Sequence, residues 1–385
     1  MLCSGVQLYE SLQRKYWQTN PMHTFAGNLL KRILDAQFAE LVDNHDQIRF
    51  GREKKLKGLR EFLRRQFRNL GFYRRDYLWP RNQQRKLELW SPHFPALENL
   101  FILLDEASRS LLVDVVAYRI MGHRHIRLPI SSPKYHSNQQ RVLATADMTS
   151  KLPTQVGGFD LVLHNLKMLG WDIKLYMPPG GPLTTYIIEQ YAQPQHGIRV
   201  RQGDVVLDCG GCWGDTALYF AHLAGKTGRV LSFEFMEENL NIFRKNLVLN
   251  PALANRIEIV EQPLWSRPNL HMTFSQSGPA AYVAESARSD GTHKSISIDD
   301  AVVNWRLDRV DFIKMDIEGA EFEALQGARE TIIRHRPDLA LCVYHSTEDF
   351  TRLAEFVDTL GLGYRFHFGH FTIHQEESVL FATAR

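Results

Sequence analysis

Four cysteines in 385 residues, Cys3, Cys209, Cys212 and Cys342, are too few for a disulfide framework in a chain of this length. No run of about 18 apolar residues occurs, so no membrane-spanning helix is expected. The N-terminus lacks a basic region followed by a continuous apolar segment. No secretory signal is therefore expected, and the cytoplasm is the expected compartment. Net charge is also scarce. Lys and Arg number 46 against 43 acidic residues, and a formal charge of +3 implies no nucleic-acid partner.

The ordinary ingredients of a globular protein are present. Hydrophobic residues make up 44% of the chain and charged residues 23%, and the length suits about two domains. Basic residues crowd one stretch, from Lys54, Lys55 and Lys57 through Arg60, Arg64, Arg65 and Arg68 to Arg74 and Arg75. Leu56, Leu59, Leu63, Phe67 and Leu70 interleave with them at helical spacing. That pattern describes an amphipathic helix with a solvated basic face; the sharper alternative is a surface for phosphate, acidic glycan or membrane.

Residues 1–150 read as a mainly helical accessory region. Leu29, Leu30, Ile33, Leu34, Phe38, Leu41 and Val42 form one stripe over Asn28–Val42, and Ser110–Met121 reads similarly. From Leu128 to Gly181 the chain is rich in breakers, ending in Pro178-Pro179-Gly180-Gly181-Pro182, and the domain transition is placed there. Residues 151–385 form the second domain. Apolar strands are expected at Val205–Leu207, Arg229–Phe233, Ile257–Val260, Phe312–Met315 and Leu339–Tyr344. Helices over Thr216–Ala224, Glu237–Leu249, Glu321–Arg334 and Asp349–Leu360 separate or follow them. This alternation predicts a mostly parallel α/β sheet covered on both faces. Tyr364–Phe368 and Ser378–Ala382 have no helix between them and should close the sheet as an antiparallel hairpin.

The segment Val205-Val206-Leu207-Asp208-Cys209-Gly210-Gly211-Cys212-Trp213-Gly214 leaves a strand and opens a helix. Gly210 and Gly214 remove side chains where backbone must approach a ligand. Glu234 ends the next strand, where a carboxylate can accept from both ribose hydroxyls. The order Asp-x-Gly-x-x-x-Gly differs from the dinucleotide fingerprint. Asp208 suits a ligand with an amino-acid end and a sulfonium charge better than a pyrophosphate. Cys209 and Cys212 also make a Cys-x-x-Cys, a candidate redox pair. Zinc would need two further ligands and the other cysteines are isolated, so no metal is expected.

The fourth strand runs into Lys314-Met315-Asp316-Ile317-Glu318-Gly319-Ala320-Glu321, and the fifth into His345. Asp316, Glu318 and His345 thus emerge at one sheet edge. Glu321 reads as a helix-start charge, and Asp299 and Asp300 as a strand-to-helix cap. His370, between the last two strands, is a weaker candidate.

These segments, Leu207–Thr216, Lys314–Glu321 and Leu341–His345, resemble the FkbM family of methyltransferases, with the Lys-x-Asp-x-Glu-Gly-Ala-Glu core the most specific piece. The Ser297–Asp300 turn and the ending Glu377–Phe381 fit the same pattern. The likeness covers about Thr184 to Arg385, and Asp105–Leu128 is similar to the upstream part of longer members. It implies a class I, Rossmann-like methyltransferase fold, S-adenosylmethionine as methyl donor, and a hydroxyl acceptor such as a sugar, glycolipid or secondary metabolite. By match of position Asp208, Gly210 and Gly214 carry over to the methionine end of the donor and Glu234 to its ribose. The usual loop has a small residue where this chain has Cys209 or Cys212.

Methyl transfer needs an aligned acceptor and a base for its proton. His345 is the expected base, with Asp316 positioning the acceptor or sharing the role. In an alternative, Asp316 and Glu318 hold a divalent cation that binds two acceptor hydroxyls. Three rival functions are a dinucleotide-dependent oxidoreductase, a thiol redox protein, and a donor- or glycan-binding module without catalysis.

Overall fold

The computed structural model describes residues 23–38, 78–154, 160–274, 283–285 and 293–384. The basic stretch from Lys54 to Arg75, Cys3, and Leu41 and Val42 of the first expected helix lie outside them. The chain forms two compact units. One spans Met1–Phe101, Arg109–Ser131 and Ile373–Gln375; the other spans Ile102–Ser108, Ser132–Thr372 and Glu376–Arg385.

The first unit carries α1 (Phe25–Phe38), α2 (Leu78–Trp90), and most of α3 (Phe94–Leu103) and α4 (Glu106–Met121). Phe25, Leu29, Ile33 and Ala36 bury one stripe of α1, as helical periodicity requires. The Phe25 ring meets the edges of Phe94 and Phe101 at 5.9 and 6.1 Å. Arg32 pairs with Asp114 of α4 at 2.5 Å. Further along α4, Tyr118 donates to the Ile373 carbonyl at 3.0 Å.

The second unit opens with α5 (Pro133–Leu143), where Ser132 caps the amide of Tyr135 and a proline occupies the first turn. Three antiparallel strands follow, β1 (Ala146–Leu152), β2 (Leu161–Asn165) and β3 (Lys174–Met177). The breaker-rich reading of 128–181 missed them. β1 is polar and largely exposed, so it carries no apolar signal.

The main sheet is built from β4 (Val205–Cys209), α6 (Asp215–Ala224), β5 (Arg229–Phe233), α7 (Glu237–Val248), α8 (Pro251–Ala254) and β6 (Ile257–Val260). A small antiparallel sheet, β7 (His271–Phe274), β8 (Val283–Glu285) and β9 (His293–Lys294), is inserted next; it too was unexpected. The chain continues through α9 (Ile298–Asn304), β10 (Phe312–Met315), α10 (Glu321–Gln326), α11 (Arg329–His335), β11 (Asp338–Cys342) and α12 (Asp349–Thr359). It ends with β12 (Arg365–His370) and β13 (Ser378–Thr383). One helix was expected where α10 and α11 lie. It breaks at Gly327, where a Cβ would sit 2.3 Å from the Trp265 carbonyl oxygen, so the backbones are too close for a continuous, side-chain-bearing helix.

The strand order is β12-β13-β11-β10-β4-β5-β6. β4 pairs in parallel with β5 and β10, and β10 with β11. β13 runs antiparallel to both neighbours, β11 and β12. This order, with the expected hairpin at its end, is the sheet that the sequence resemblance implies. Its inner strands read as continuous apolar runs because both faces are covered: Val206, Leu207, Val230, Leu231, Ile313, Leu339 and Leu341 are fully buried.

Candidate active site

The order of the sheet reverses between β4 and β10, and open α/β sheets bind ligands beyond the carboxyl ends of the strands at such a point. A cavity of about 350 Å³ lies there. Its lining includes Gly210, Cys212 and Trp213 after β4, Glu234 after β5, Asp316 and Glu318 after β10, Tyr344 after β11, and Glu377 between β12 and β13. A π-helical segment, Leu183–Ile188, contributes Thr184 and Thr185.

Gly210 and Gly214 both stand in the left-handed region, at φ +93° and +81°. The close approach that demands them is made by the protein itself. A Cβ on Gly210 would lie 1.9 Å from the Asp316 carbonyl oxygen, and one on Gly214 would lie 2.2 Å from the Phe243 ring. Gly210 also lines the cavity; Gly214 is not part of the lining.

Asp208 is fully buried and is likewise absent from the lining. Its carboxylate accepts from Thr216 Oγ1 at 2.9 and 3.0 Å and from Ser232 Oγ at 2.8 Å. Lys314 Nζ lies 3.3 Å from Oδ1. That ammonium donates to the carbonyls of Gly210 at 2.5 Å and Cys209 at 3.2 Å, and sits 5.5 Å from the Tyr191 ring centre. Burial pulls its pKa down, but Asp208 and Asp316 more than reverse this, and Lys314 titrates above its ordinary range. Asp208 thus anchors the loop through Lys314. The sequence reading assigned Lys314 no role, although a cation inside the apolar strand Phe312–Met315 was the available signal.

Glu234 accepts from the amides of Phe235 and Met236 at 2.7 and 2.8 Å, and from Asn239 Nδ2 at 3.2 Å. Burial raises its pKa and these donors offset part of the rise. A carboxylate offers about four lone-pair sites, so acceptor capacity remains toward the cavity.

Asp316 accepts one hydroxyl on each oxygen, Tyr191 at 2.9 Å and Tyr344 at 3.1 Å. Burial pushes its carboxyl up, but Lys314, His345 and the two hydroxyls hold it below the usual range. Neither tyrosine was singled out from the sequence. His345 Nε2 lies 3.3 Å from Glu318 and 3.5 Å from Asp316, and Nδ1 lies 2.9 Å from Glu321. Burial lowers the imidazole pKa, yet hydrogen-bonding contact with Glu318 and Glu321, with the charges of Glu321 and Asp316, raises it to about 11. At neutral pH His345 is an imidazolium, which conflicts with its expected role as resting base.

A stability measurement checks this. In an unfolded chain His345 titrates near ~6.5. Its contribution to stability is therefore full below that value and is lost as pH rises toward about 11. Urea unfolding between pH 6 and 11 should show a decline in wild type that His345→Gln flattens. Parallel curves for the two proteins would refute the protonated form.

Glu318 occupies the left-handed region at φ +57°, and burial pushes its carboxyl up. Glu321 is fully buried and accepts from the amides of Ile317 and Gly319 at 2.8 and 2.9 Å, which makes it a loop brace. Asp316, Glu321 and His345 lie close enough to share an ion. His345 is protonated and has no lone pair to offer an ion, so no metal is assigned to the set. Asp105, His196 and His367 form a second close group. There the imidazoles stack at 3.6 Å and 17°, so their lone pairs run nearly parallel and cannot both aim at one ion. His370 bonds Ser378 Oγ at 2.8 Å and does not line the cavity. Asp299 accepts from the amides of Glu330 and Thr331, and Asp300 takes part in the Ser297 cap. Burial pushes the thiols of Cys209 and Cys212 up, away from the thiolate that redox chemistry requires.

Residues 208–366 match the family model for the methyltransferase FkbM domain. No curated protein matches the chain. A methyltransferase FkbM from Methylobacillus flagellatus KT is similar in structure at 19% identity and a TM-score of 0.49, over 76% of this chain and 59% of that one. The chain thus spans less than two thirds of that structure. Aeropyrum pernix fibrillarin, solved with bound S-adenosyl-L-methionine, gives 12% identity and 0.32 over 48% and 67% of the two chains. An O-methyltransferase from Bacillus cereus in complex with SAH gives 12% and 0.32 over 47% and 74%. Residues 208–366, from the end of β4 to the start of β12, are thus the part of this chain that matches a methyltransferase FkbM domain.

Proposed function

We propose that the protein transfers a methyl group from S-adenosylmethionine to a hydroxyl of a small-molecule or glycan acceptor. One observation carries this reading. Four residues that line the cavity at the switch point, Trp213, Asn239, Gln190 and Glu377, each carry a buried polar atom with no partner, within a rim of carboxylates. Buried polar atoms without partners call for a polar ligand. Asp215, Glu234, Asp316 and Glu318 favour a cationic donor over a pyrophosphate. Among the described residues the one ammonium in the lining, Lys314, is occupied by carbonyls and Asp208.

Glu234 would accept the ribose hydroxyls, and the Gly210–Trp213 loop would hold the methionine end. The bound donor supplies the methyl group. The chain's own residues must orient the acceptor hydroxyl and remove its proton. Asp316, fixed by Tyr191 and Tyr344, is suited to orientation, and His345 supports it by keeping its charge in place.

Calorimetry with S-adenosylmethionine and SAH tests the donor, and methyl transfer to a panel of sugars and phenols tests the acceptor class. Glu234→Gln should weaken donor binding about tenfold or more, the scale of a lost charged hydrogen bond. Unchanged affinity would remove Glu234 from the ribose site. Absence of any donor binding by the wild-type protein would end the methyltransferase reading.

A further inference from the structure

Glu377 enters the cavity from the turn between β12 and β13, far in sequence from Asp316 and His345. It stands in the left-handed region at φ +64°, a conformation costly for a glutamate. Its carbonyl accepts from the Phe371 amide at 3.1 Å, which closes the turn and fixes the residue. Its Oε2 is shielded from solvent and meets no donor. A strained residue thus brings a carboxyl with unmet capacity to the cavity wall.

Three neighbouring groups already have partners. Asp316 accepts both tyrosine hydroxyls. His345 is surrounded by carboxylates and protonated. Glu321 braces two backbone amides and does not line the cavity. Resting on the methyl-transfer reading of this cavity, the geometry points to Glu377 as the proton acceptor, the carboxylate that takes the hydroxyl proton of the methyl acceptor. In that step the proton leaves the acceptor oxygen for the Glu377 carboxylate. A lone pair on the oxygen forms the new O–CH3 bond, and the pair of the broken S–CH3 bond stays on sulfur. Glu377 then returns its proton to solvent.

The electrostatics agree. Burial pushes the Glu377 carboxyl up and the Asp316 charge adds to it, so that it titrates at about 8. Gln190 and His345 act in the opposite direction, and Glu376 in the same one. Tyr191, Tyr344 and Cys342 also feel its charge. A base titrating near the working pH is well matched to proton transfer. At pH 7.5, before the donor binds, Glu377 is mostly protonated. A cation bound beside it favours the carboxylate, so donor binding should expel a proton.

Calorimetry at pH 7.5 in phosphate and in Tris, with S-adenosylmethionine as the probe, reads that proton directly. Wild type should release about half a proton or more per donor bound. Glu377→Gln should bind the donor within about tenfold of wild type and release none, while Glu377→Asp should restore the release. On the best acceptor of the hydroxyl panel, Glu377→Gln should lower kcat about a hundredfold or more with little change in donor KM. Equal proton release by wild type and Glu377→Gln, or full kcat in that variant, overturns the assignment. Failure of the wild type to bind the donor overturns instead the methyltransferase reading beneath it.

Discussion

Lys314→Met should cost about 3–5 kcal/mol of stability, because it strands the fully buried Asp208 carboxylate without its cation. In a domain of this size that is a fall in Tm of roughly 10 °C. Thr216 and Ser232 still donate to Asp208, but two hydroxyls do not neutralise a charge. The carbonyls of Cys209 and Gly210 lose their donor at the same time. Donor affinity should therefore fall along with the melting temperature. Adding Asp208→Asn to Lys314→Met should recover part of the loss, since the stranded charge is gone. A single variant that melts with wild type would show that the pair does not hold the loop.

Gly210→Ala should be nearly as damaging for a different reason. The new methyl group would meet the Asp316 carbonyl oxygen at 1.9 Å, and both backbones are pinned. The Asp316 amide donates to Cys209 at 3.0 Å, and the Gly210 amide donates to Phe233 at 3.1 Å. The left-handed φ adds strain to the collision. The expected cost is about 3 kcal/mol or more of stability. If the loop shifts to relieve the contact, the loss should appear as roughly a hundredfold in donor affinity. Gly361→Ala separates the two causes. Gly361 has φ +66° but nothing within 4 Å of an added Cβ, so it should lose only about 1 kcal/mol. Equal losses at the two positions would mean that the Gly210 contact is unimportant.

The main sheet was readable because its strands are buried on both faces. Val205–Leu207 and Phe312–Met315 stand out as short runs between helical patterns, and the missing helix before Ser378 exposes the hairpin. β1 was not readable, since Ala146–Leu152 presents mostly polar residues to solvent. The site was legible in position and less so in chemistry. Glu234, Asp316 and Glu318 could be placed at strand ends by counting, and all three line the cavity. Asp208 and Gly214 were placed in the right loop, but only the structure shows that they face Lys314 and Phe243. The protonation of His345 depends on Glu318 and Glu321, whose carboxylates reach it only after the loop folds back. Glu377 opened the ending that fits the family pattern, but its role was not legible, because its surroundings come from Asp316 and Gln190, remote in the chain.

The antiparallel strand β13 lies inside the sheet, with β11 on one side and β12 on the other. A polypeptide interrupted before Ser378 would leave two open ladders facing each other across the missing strand. Unpaired ladders are templates for association between chains. Interrupted translation products of this protein should therefore be prone to aggregate, and would be marked for quality control before any catalytic defect mattered.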